Sequence, residues 1–522
     1  MELKENSEKV NFENVLISNS SIDGKLLEKR GVSLRIKLKI ISEQWILNSA
    51  TNAMANILKK NLLYLKIFWG ICFLAGTTMG LYTTIKYLIT FLSFGVSVST
   101  LNVIESPAKF PAVTVCNLNP FNKNRSAQFF TGVLNGTIFS NTSSLMQMNM
   151  SARDVTYDLL DTLKVDASAN PQYNQDKKTY GFYISEMLTS CNYIGTDCST
   201  SDFLYLQSYD YGNCYTFNGN TSKIQTVSSA GPGNSLQIEL FSGDPNDELY
   251  VASRGFYVIV HNQSYTPIMD NEGVYVSVGT ETNIGVERSF YSKQSSPYSS
   301  CIDDPTSSSS STSTLYQLIL NALGEKRYRQ SYCYKLCYQI AVVNNCSCYD
   351  AAYPNTNITN KDILACHESQ QIKCLDTIKT WFSTNGFTSS CDSYCPIECL
   401  AVTYKKSIHF SQYPTNSYLS LLRQQTGFTS KYSTYTQNSA DFNSYIKSSV
   451  AKINVFYSDI SYIALIESPT ITWDVLMGNI GGTFGLFIGI SLMNILELFE
   501  ISSEIIRTIY YHRKEKNLIN VS

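Results

Sequence analysis

Residues 473–500 read WDVLMGNIGGTFGLFIGISLMNILELFE. The stretch is long enough to cross a bilayer, which takes about 20 predominantly apolar residues at a rise of about 1.5 Å each. It is not a uniform anchor. On an unbroken helix advancing about 100° per residue, Gly478, Gly481, Gly482, Gly485 and Gly489 share an arc of about 100°. A face without side chains lets helices approach closely, or lets backbone line a narrow passage. Glycine spacing alone favours packing as the simpler of the two. The polar residues weigh the other way: Asn479 near the start and Glu497 and Glu500 near the end are costly against lipid. The cost is about 2.5–3.5 kcal/mol for a charge at mid-membrane and falls toward the interface. Glu500 returns to the glycine face of the unbroken helix, and acidic groups at the mouth of such a stripe suit a cation pathway. Ser491 falls on the opposite side, so either it lies off that path or the helix is interrupted around Gly489–Ser491.

A second apolar run, from about Leu65 to Leu88, contains IFWGICFLAGTTMGLYTTI. It starts too deep in the chain for a signal peptide, and no small-residue cleavage site follows it. Lys59, Lys60 and Lys66 flank its N-terminal side, and Lys86 can snorkel to headgroups at the other. Arg507, Arg513, Lys514 and Lys516 follow the C-terminal run. Basic residues outside both runs predict two spans with both termini cytoplasmic.

The segment between them carries the cysteines. Of 15 in the 522-residue chain, Cys72 sits in the first apolar run and all others lie between Cys116 and Cys399. An even set confined to one segment reads as a disulfide framework in an oxidising compartment. Asn-x-Ser/Thr acceptors share that stretch, at Asn124, Asn135, Asn141, Asn149, Asn220, Asn262, Asn345 and Asn357. Residues from about 95 to 465 are therefore expected outside the cell. The net charge of -2, with no long basic stretch, argues against nucleic acid, and 4 histidines argue against imidazole-based catalysis or metal chemistry. Phe256–Val260 reads as a buried strand, and Val274, Val276 and Val278 alternate with Tyr275 and Ser277. Thr306–Thr314 reads as a solvated loop, and residues 1 to about 40 lack apolar periodicity and read as a cytoplasmic tail without fixed structure.

Longer motifs then carry a resemblance. NIGGTFGLFIGISLMNILELFE is similar to the pore helix of the degenerin / epithelial sodium channel / acid-sensing ion channel superfamily, with Gly489-Ile490-Ser491 at its Gly-x-Ser selectivity filter. Phe110-Pro-Ala-Val-Thr-Val-Cys116-Asn117 resembles the signature that follows the first span. Gly212-Asn-Cys214-Tyr-Thr-Phe-Asn218 resembles another, and Gly279-Thr-Glu-Thr282 lies in a matching strand region. These matches run in order from about residue 60 to 500.

The resemblance implies a membrane protein of α+β class, with two transmembrane helices flanking a large disulfide-rich extracellular domain. A β-rich palm and ball would carry a helical finger, thumb and knuckle. It divides the chain into a cytoplasmic segment (1–64), a first span (65–90), the extracellular domain (91–470), a second span with pore and filter (471–500) and a cytoplasmic tail (501–522). It pairs the cysteines as Cys116–Cys214, Cys191–Cys198, Cys301–Cys399, Cys333–Cys395, Cys337–Cys391, Cys346–Cys374 and Cys348–Cys366. Sequence alone leaves that connectivity open, along with zinc at Cys346-x-Cys348 as a competing reading. It further implies a plasma-membrane trimer of identical or homologous subunits, sodium-selective and amiloride-sensitive, and no enzyme. No cofactor is implied: the permeant ion is Na⁺, with Ca²⁺ or protons as candidate modulators.

Residue by residue, the resemblance gives Gly489, Ile490 and Ser491 the filter. Gly478, Asn479, Gly482, Gly485, Glu497 and Glu500 take pore and gate, with Gly485 at the amiloride position. Phe94 and Tyr298 are assigned to coupling between the outer domain and the pore. The chain departs from the family where a cytoplasmic His-Gly pair is replaced by Asn52-Ala53, which bears on gating and inner-mouth permeation. It has no histidine between residues 88 and 116 and has Asn479 where acid-sensing members have aspartate. The Cys391-x₃-Cys395-x₃-Cys399 spacing resembles the epithelial branch. A constitutive or ligand-gated channel, the ligand being an extracellular peptide, is thus preferred over a proton-gated one, although Asp244, Asp247 and Glu248 offer carboxylates. A non-conducting two-span receptor is the alternative from another class.

Overall fold

The computed structural model describes residues 33–48, 57, 62–127, 129, 160–161, 163–165, 167–245, 251–269, 272–302, 327–353, 363–422, 424, 439–489 and 492–519. The chain forms two compact units: Val98–Ser468, and Met1–Ser97 together with Pro469–Ser522. The helices are α1 (Leu34–Asn48), α2 (Leu63–Leu92), α3 (Pro171–Tyr180), α4 (Ile184–Met187) and α5 (Gln330–Cys346), then α6 (Ser369–Cys391), α7 (Asn416–Leu422), α8 (Ser439–Lys447), α9 (Trp473–Phe487) and α10 (Leu492–Ile519). The strands are β1 (Val96–Ile104), β2 (Ala108–Lys109), β3 (Ala112–Asn117), β4 (Leu188–Tyr193), β5 (Thr196–Asp197), β6 (Phe203–Ser208) and β7 (Gly212–Phe217). They continue with β8 (Thr226–Val227), β9 (Leu236–Phe241), β10 (Gly255–His261), β11 (Gly273–Ser277), β12 (Thr280–Ser292), β13 (Leu400–Gln412) and β14 (Val450–Pro469).

In the Val98–Ser468 unit a five-stranded sheet runs β11-β10-β3-β7-β6. A seven-stranded sheet runs β13-β12-β14-β9-β4-β5, with β1 paired to β14. Every residue of β10 is buried, because β11 and β3 pair with both its edges and neither face meets water. A strand so placed calls for the unbroken apolar run that Phe256–Val260 supplies. On β11, Val274 and Val276 are buried and Tyr275 is exposed, as alternation predicts. Val278 does not continue the pattern: it lies in the turn beyond Ser277, completed by Gly279 at φ 76°, a left-handed backbone suited to glycine. Val113, Phe256 and Val258 from one sheet meet Ile238, Ile284 and Ile453 from the other in a common core. Each such side chain contributes about 1.5–3 kcal/mol by leaving water.

Helices α5 and α6 pack on each other around a second core. Cys333 and Cys337, one turn apart on α5, face Cys395 and Cys391, and the bridges Cys333–Cys395 and Cys337–Cys391 form two rungs. Cys346–Cys374 and Cys348–Cys366 close the far end, where Ser347 caps α5 in the left-handed region. Cys301–Cys399, Cys116–Cys214 and Cys191–Cys198 are the remaining disulfides, and Cys116 lies opposite Cys214 across β3 and β7. Bridges of this kind contribute roughly 2–4 kcal/mol each.

The other unit departs from expectation at three points. Helix α1 begins at Leu34, within the segment read as unstructured, and its Ile40 and Ile41 are buried. The helix packs against α10, a tertiary partner that local periodicity does not reveal. Helix α2 extends the expected first span by two residues at each end, and among the described residues it alone is long and apolar enough to cross a membrane. Residues 473–500 are not one helix. Helix α9 stops at Phe487 after 15 residues, and α10 starts at Leu492 and continues through most of the expected tail to Ile519. The helical phase relating Glu500 to the glycine face of residues 478–489 is therefore lost.

The β body also holds a buried charge. The parallel register of β12 and β14 slips between Val286 and Arg288. There the Arg288 side chain, 4% exposed, donates to Glu105 Oε2 one residue beyond β1. Its guanidinium lies 4.9 Å from the ring of Phe290, 5.0 Å from Tyr462 and 5.6 Å from Tyr457. A buried guanidinium is tolerated when paired and costs most when its partner is removed. Glu105→Ala is expected to destabilise the protein by about 3 kcal/mol, read as a lower unfolding temperature of the detergent-purified chain. An unchanged melting curve would show that the pair carries no net stability.

Candidate functional site

The break between α9 and α10 is built by backbone hydrogen bonding. Ile488 N donates to Phe484 O at 3.0 Å and Gly489 N to Gly485 O at 3.1 Å, while Gly489 itself takes φ 77°. A left-handed residue whose N–H reaches back four positions is a helix C-terminal stop, and glycine fills it because it has no Cβ to clash. Of the two readings open for Ser491, the interruption is therefore the one adopted at Gly489. Ile490 and Ser491 lie outside the described residues, as do Asn52 and Ala53.

Upstream, Thr472 O accepts from Leu476 N at 2.9 Å, opening α9, and Asp474 lies in the first turn, where the helix dipole favours an acid. Thr470 N donates to Gly95 O at 2.9 Å, and the Trp473 ring lies 6.1 Å from that of Phe91. The end of α2 is thereby stitched to the start of α9. Phe94 sits in that join at φ 50°, its ring 6.5 Å from Phe91. Tyr298 lies in the Val98–Ser468 unit, after the cis Ser296–Pro297 peptide, with its N–H donated to Ser295 O at 3.0 Å.

Along α9 the glycines face open space. A Cβ added at Gly478, Gly481 or Gly482 would meet no atom within 4 Å, and Gly485 is exposed as well. Asn479 is half-buried. Leu476 turns inward and is buried. On α10, Glu497 is half-buried and Glu500 exposed. A close contact absent from the sequence reading ties α9 to α2: a Cβ at Gly76 would lie 2.5 Å from Phe487 O, and one at Gly80 3.7 Å from Phe487 Cβ. The signal was the four-residue spacing of Gly76 and Gly80 within an apolar run. Arg288 was also passed over, because no motif distinguishes it from a surface arginine.

In the Val98–Ser468 unit, a cavity of about 210 Å³ is lined in part by Lys164, Lys177, Asn174, Gln207, Tyr209 and Tyr353. Burial pushes the Lys164 ammonium down from its ordinary pKa, against the pull of Asp210 and Asp161. Asp244 is described, its carbonyl accepting from Arg254, whereas Asp247 and Glu248 lie outside the described residues. Cys346 and Cys348, the competing zinc ligands, are both in disulfides. Of the glycosylation acceptors, Asn124, Asn220 and Asn345 are exposed and Asn262 is half-buried, while Asn135, Asn141, Asn149 and Asn357 lie outside the described residues.

A family model described as amiloride-sensitive sodium channel matches residues 46–501. The degenerin-like protein asic-2 of Caenorhabditis elegans is 26% identical over 462 residues, covering 83% of this chain and 80% of the relative. The bile acid-sensitive ion channel of Homo sapiens is 24% identical over 513 residues, covering 96% of this chain and 92% of that protein. The epithelial sodium channel subunit gamma of Neoceratodus forsteri is 27% identical over 337 residues, 63% of this chain and 47% of the relative. The chain belongs to the amiloride-sensitive sodium channel family. Its relatives are ion channels, not enzymes.

The Gly489 geometry is testable directly. Gly489→Ala places an L residue in the left-handed region at a cost of about 1–2 kcal/mol, so the purified protein should melt earlier. Gly489→Asn, which enters that region more readily, should recover part of the loss. Equal stability of the alanine variant and the parent would rule out the left-handed stop.

Proposed function

We propose that the chain is one subunit of a trimeric, sodium-selective, amiloride-sensitive cation channel of the plasma membrane. In this reading residues 65–90 and 471–500 are the two spans and 91–470 are extracellular. Residues 1–64 and 501–522 are cytoplasmic, and two further identical or homologous subunits complete the channel. The observation that carries it is the helix stop at Gly489 inside the apolar C-terminal stretch. The last carbonyls of any helix lack intrahelical partners and form the negative end of its dipole. Unpaired backbone at membrane depth is tolerated only inside protein or along a water-filled path. Three such ends, meeting on an axis, would offer a ring of oxygens able to replace part of a Na⁺ hydration shell.

The open glycine face of α9 supports the assembly: among the described residues, none comes within 4 Å of a Cβ built at Gly478, Gly481 or Gly482. Gly489, Ile490 and Ser491 form the filter in this reading, and Gly478, Asn479, Gly482 and Gly485 line the path above it. Glu497 and Glu500 draw cations to the inner mouth. Phe94 and Tyr298 transmit outer-domain motion, and Asn52-Ala53 sets inner-mouth gating. The cavity lined in part by Lys164 and Lys177, with Asp210 beside Lys164 and Asp161 beside Tyr209, is the seat of an extracellular ligand in this reading.

Recording from cells expressing the chain, with stepped pH and then a neuropeptide panel, with and without amiloride, tests conduction and stimulus. Ser491→Cys should shift the reversal potential under Na⁺/K⁺ exchange, and an unchanged ratio removes the filter assignment. Gly478→Cys treated with a bulky thiol reagent should raise steady current. No current from wild type under any stimulus, nor from the modified Gly478→Cys channel, would leave a non-conducting receptor instead.

A further inference from the structure

We propose that Gly76, on the first helix, is a positioning residue for ion discrimination: its missing side chain lets the carbonyl end of α9 seat against α2, and that seat sets where the filter backbone begins. The inference rests on the reading of Gly489–Ser491 as the filter.

A Cβ built at Gly76 would lie 2.5 Å from Phe487 O and 3.5 Å from Phe487 C. The obstacle is main chain, so no side-chain rotation relieves it, and one of the two helices must move. Gly80 follows one turn later on the same face of α2 and is itself buried. There an added Cβ would make ordinary contacts, 3.7 Å to Phe487 Cβ and 3.8 Å to Ile488 Cδ1. The two glycines thus present a bare strip of α2 to Phe487 and Ile488, the last residue of α9 and its cap. Gly489 comes next, at φ 77°. A push on the Phe487 peptide reaches it through two covalently linked residues, and the left-handed stop leaves little slack to absorb the shift. By contrast, a Cβ at Gly70 on the same helix meets nothing within 4 Å.

The position of a backbone oxygen ring matters to selectivity in a way that the mere presence of the helix does not. Ions of like charge and different radius are separated by how well the ring replaces their water. A packing defect that only weakened the protein would lower current and surface abundance and leave the permeability ratio alone. A displaced ring changes the ratio in channels that do conduct.

The test is whole-cell recording of full-length Gly76→Ala, Gly76→Val, Gly80→Val and Gly70→Ala, with surface abundance measured in parallel. Reversal potentials under Na⁺/K⁺ exchange are the readout. Gly76→Ala should move the reversal potential toward that of an unselective cation pore, Gly76→Val further, and Gly70→Ala should match wild type. If the Gly76 variants fail to reach the surface, Gly80→Val decides, since its branches press the same two residues through side chains that can yield: a smaller shift in the same direction supports the proposal. An unchanged ratio in conducting Gly76→Ala, or in Gly80→Val when Gly76 variants are absent from the surface, overturns it. If Ser491→Cys alters selectivity and these variants do not, this inference alone fails. If Ser491→Cys has no effect either, the filter reading fails with it.

Discussion

A helix that ends within an apolar stretch must place its last carbonyls somewhere, and hydrocarbon offers no partner. In the proposed channel the stop at Gly489 poses that problem, and much of the unit formed by the two terminal segments can be understood as its answer. The left-handed glycine turns the backbone out of the helix direction after the Gly489–Gly485 hydrogen bond. Helix α2 supplies bare backbone at Gly76, against which the Phe487 carbonyl lies. In the proposed assembly, the remaining open glycine face of α9 is left for other copies or relatives of the chain. In the proposed channel, one backbone device therefore both terminates the helix and presents oxygen to cations.

The Val98–Ser468 unit answers a different constraint. Its two sheets share one core, and seven disulfides tie segments of the unit together. Four of those bridges belong to the α5–α6 pair. Strands β1 and β14, which directly continue α2 and lead into α9 along the chain, pair with each other. Ser99 Oγ donates to Ile466 O at 3.1 Å between them. Glu105, just past β1, is tied to Arg288 on β12 within a cage of three aromatic rings. A charge pair held among aromatics has few alternative arrangements.

The cavity of the Val98–Ser468 unit bears on the proposed stimulus. Its lining includes two lysines, one of them largely desolvated, with amides and tyrosines around it. A ligand carrying acceptor groups would find donors already in place there, beside the carboxylates of Asp210 and Asp161.

Several features were legible without coordinates because they depend on local chemistry. The unbroken apolar run of Phe256–Val260 specifies a strand covered on both faces, and the alternation at Val274 and Val276 specifies one covered on a single face. The glycine-rich segment from Gly478 to Gly489 marked a helix with a bare side, and the odd phase of Ser491 already admitted a break. Cysteine placement separated an oxidised body from its flanks, while the pairing came from family resemblance and not from spacing. What the tertiary structure alone decided were contacts between residues distant in the chain: Gly76 beneath Phe487, Arg288 against Glu105, and α1 against α10. Periodicity and capping are written within about one helical turn, so a single sequence displays them. A close backbone approach or a buried ion pair exists only once two remote segments meet, and neither partner carries a local mark of the other.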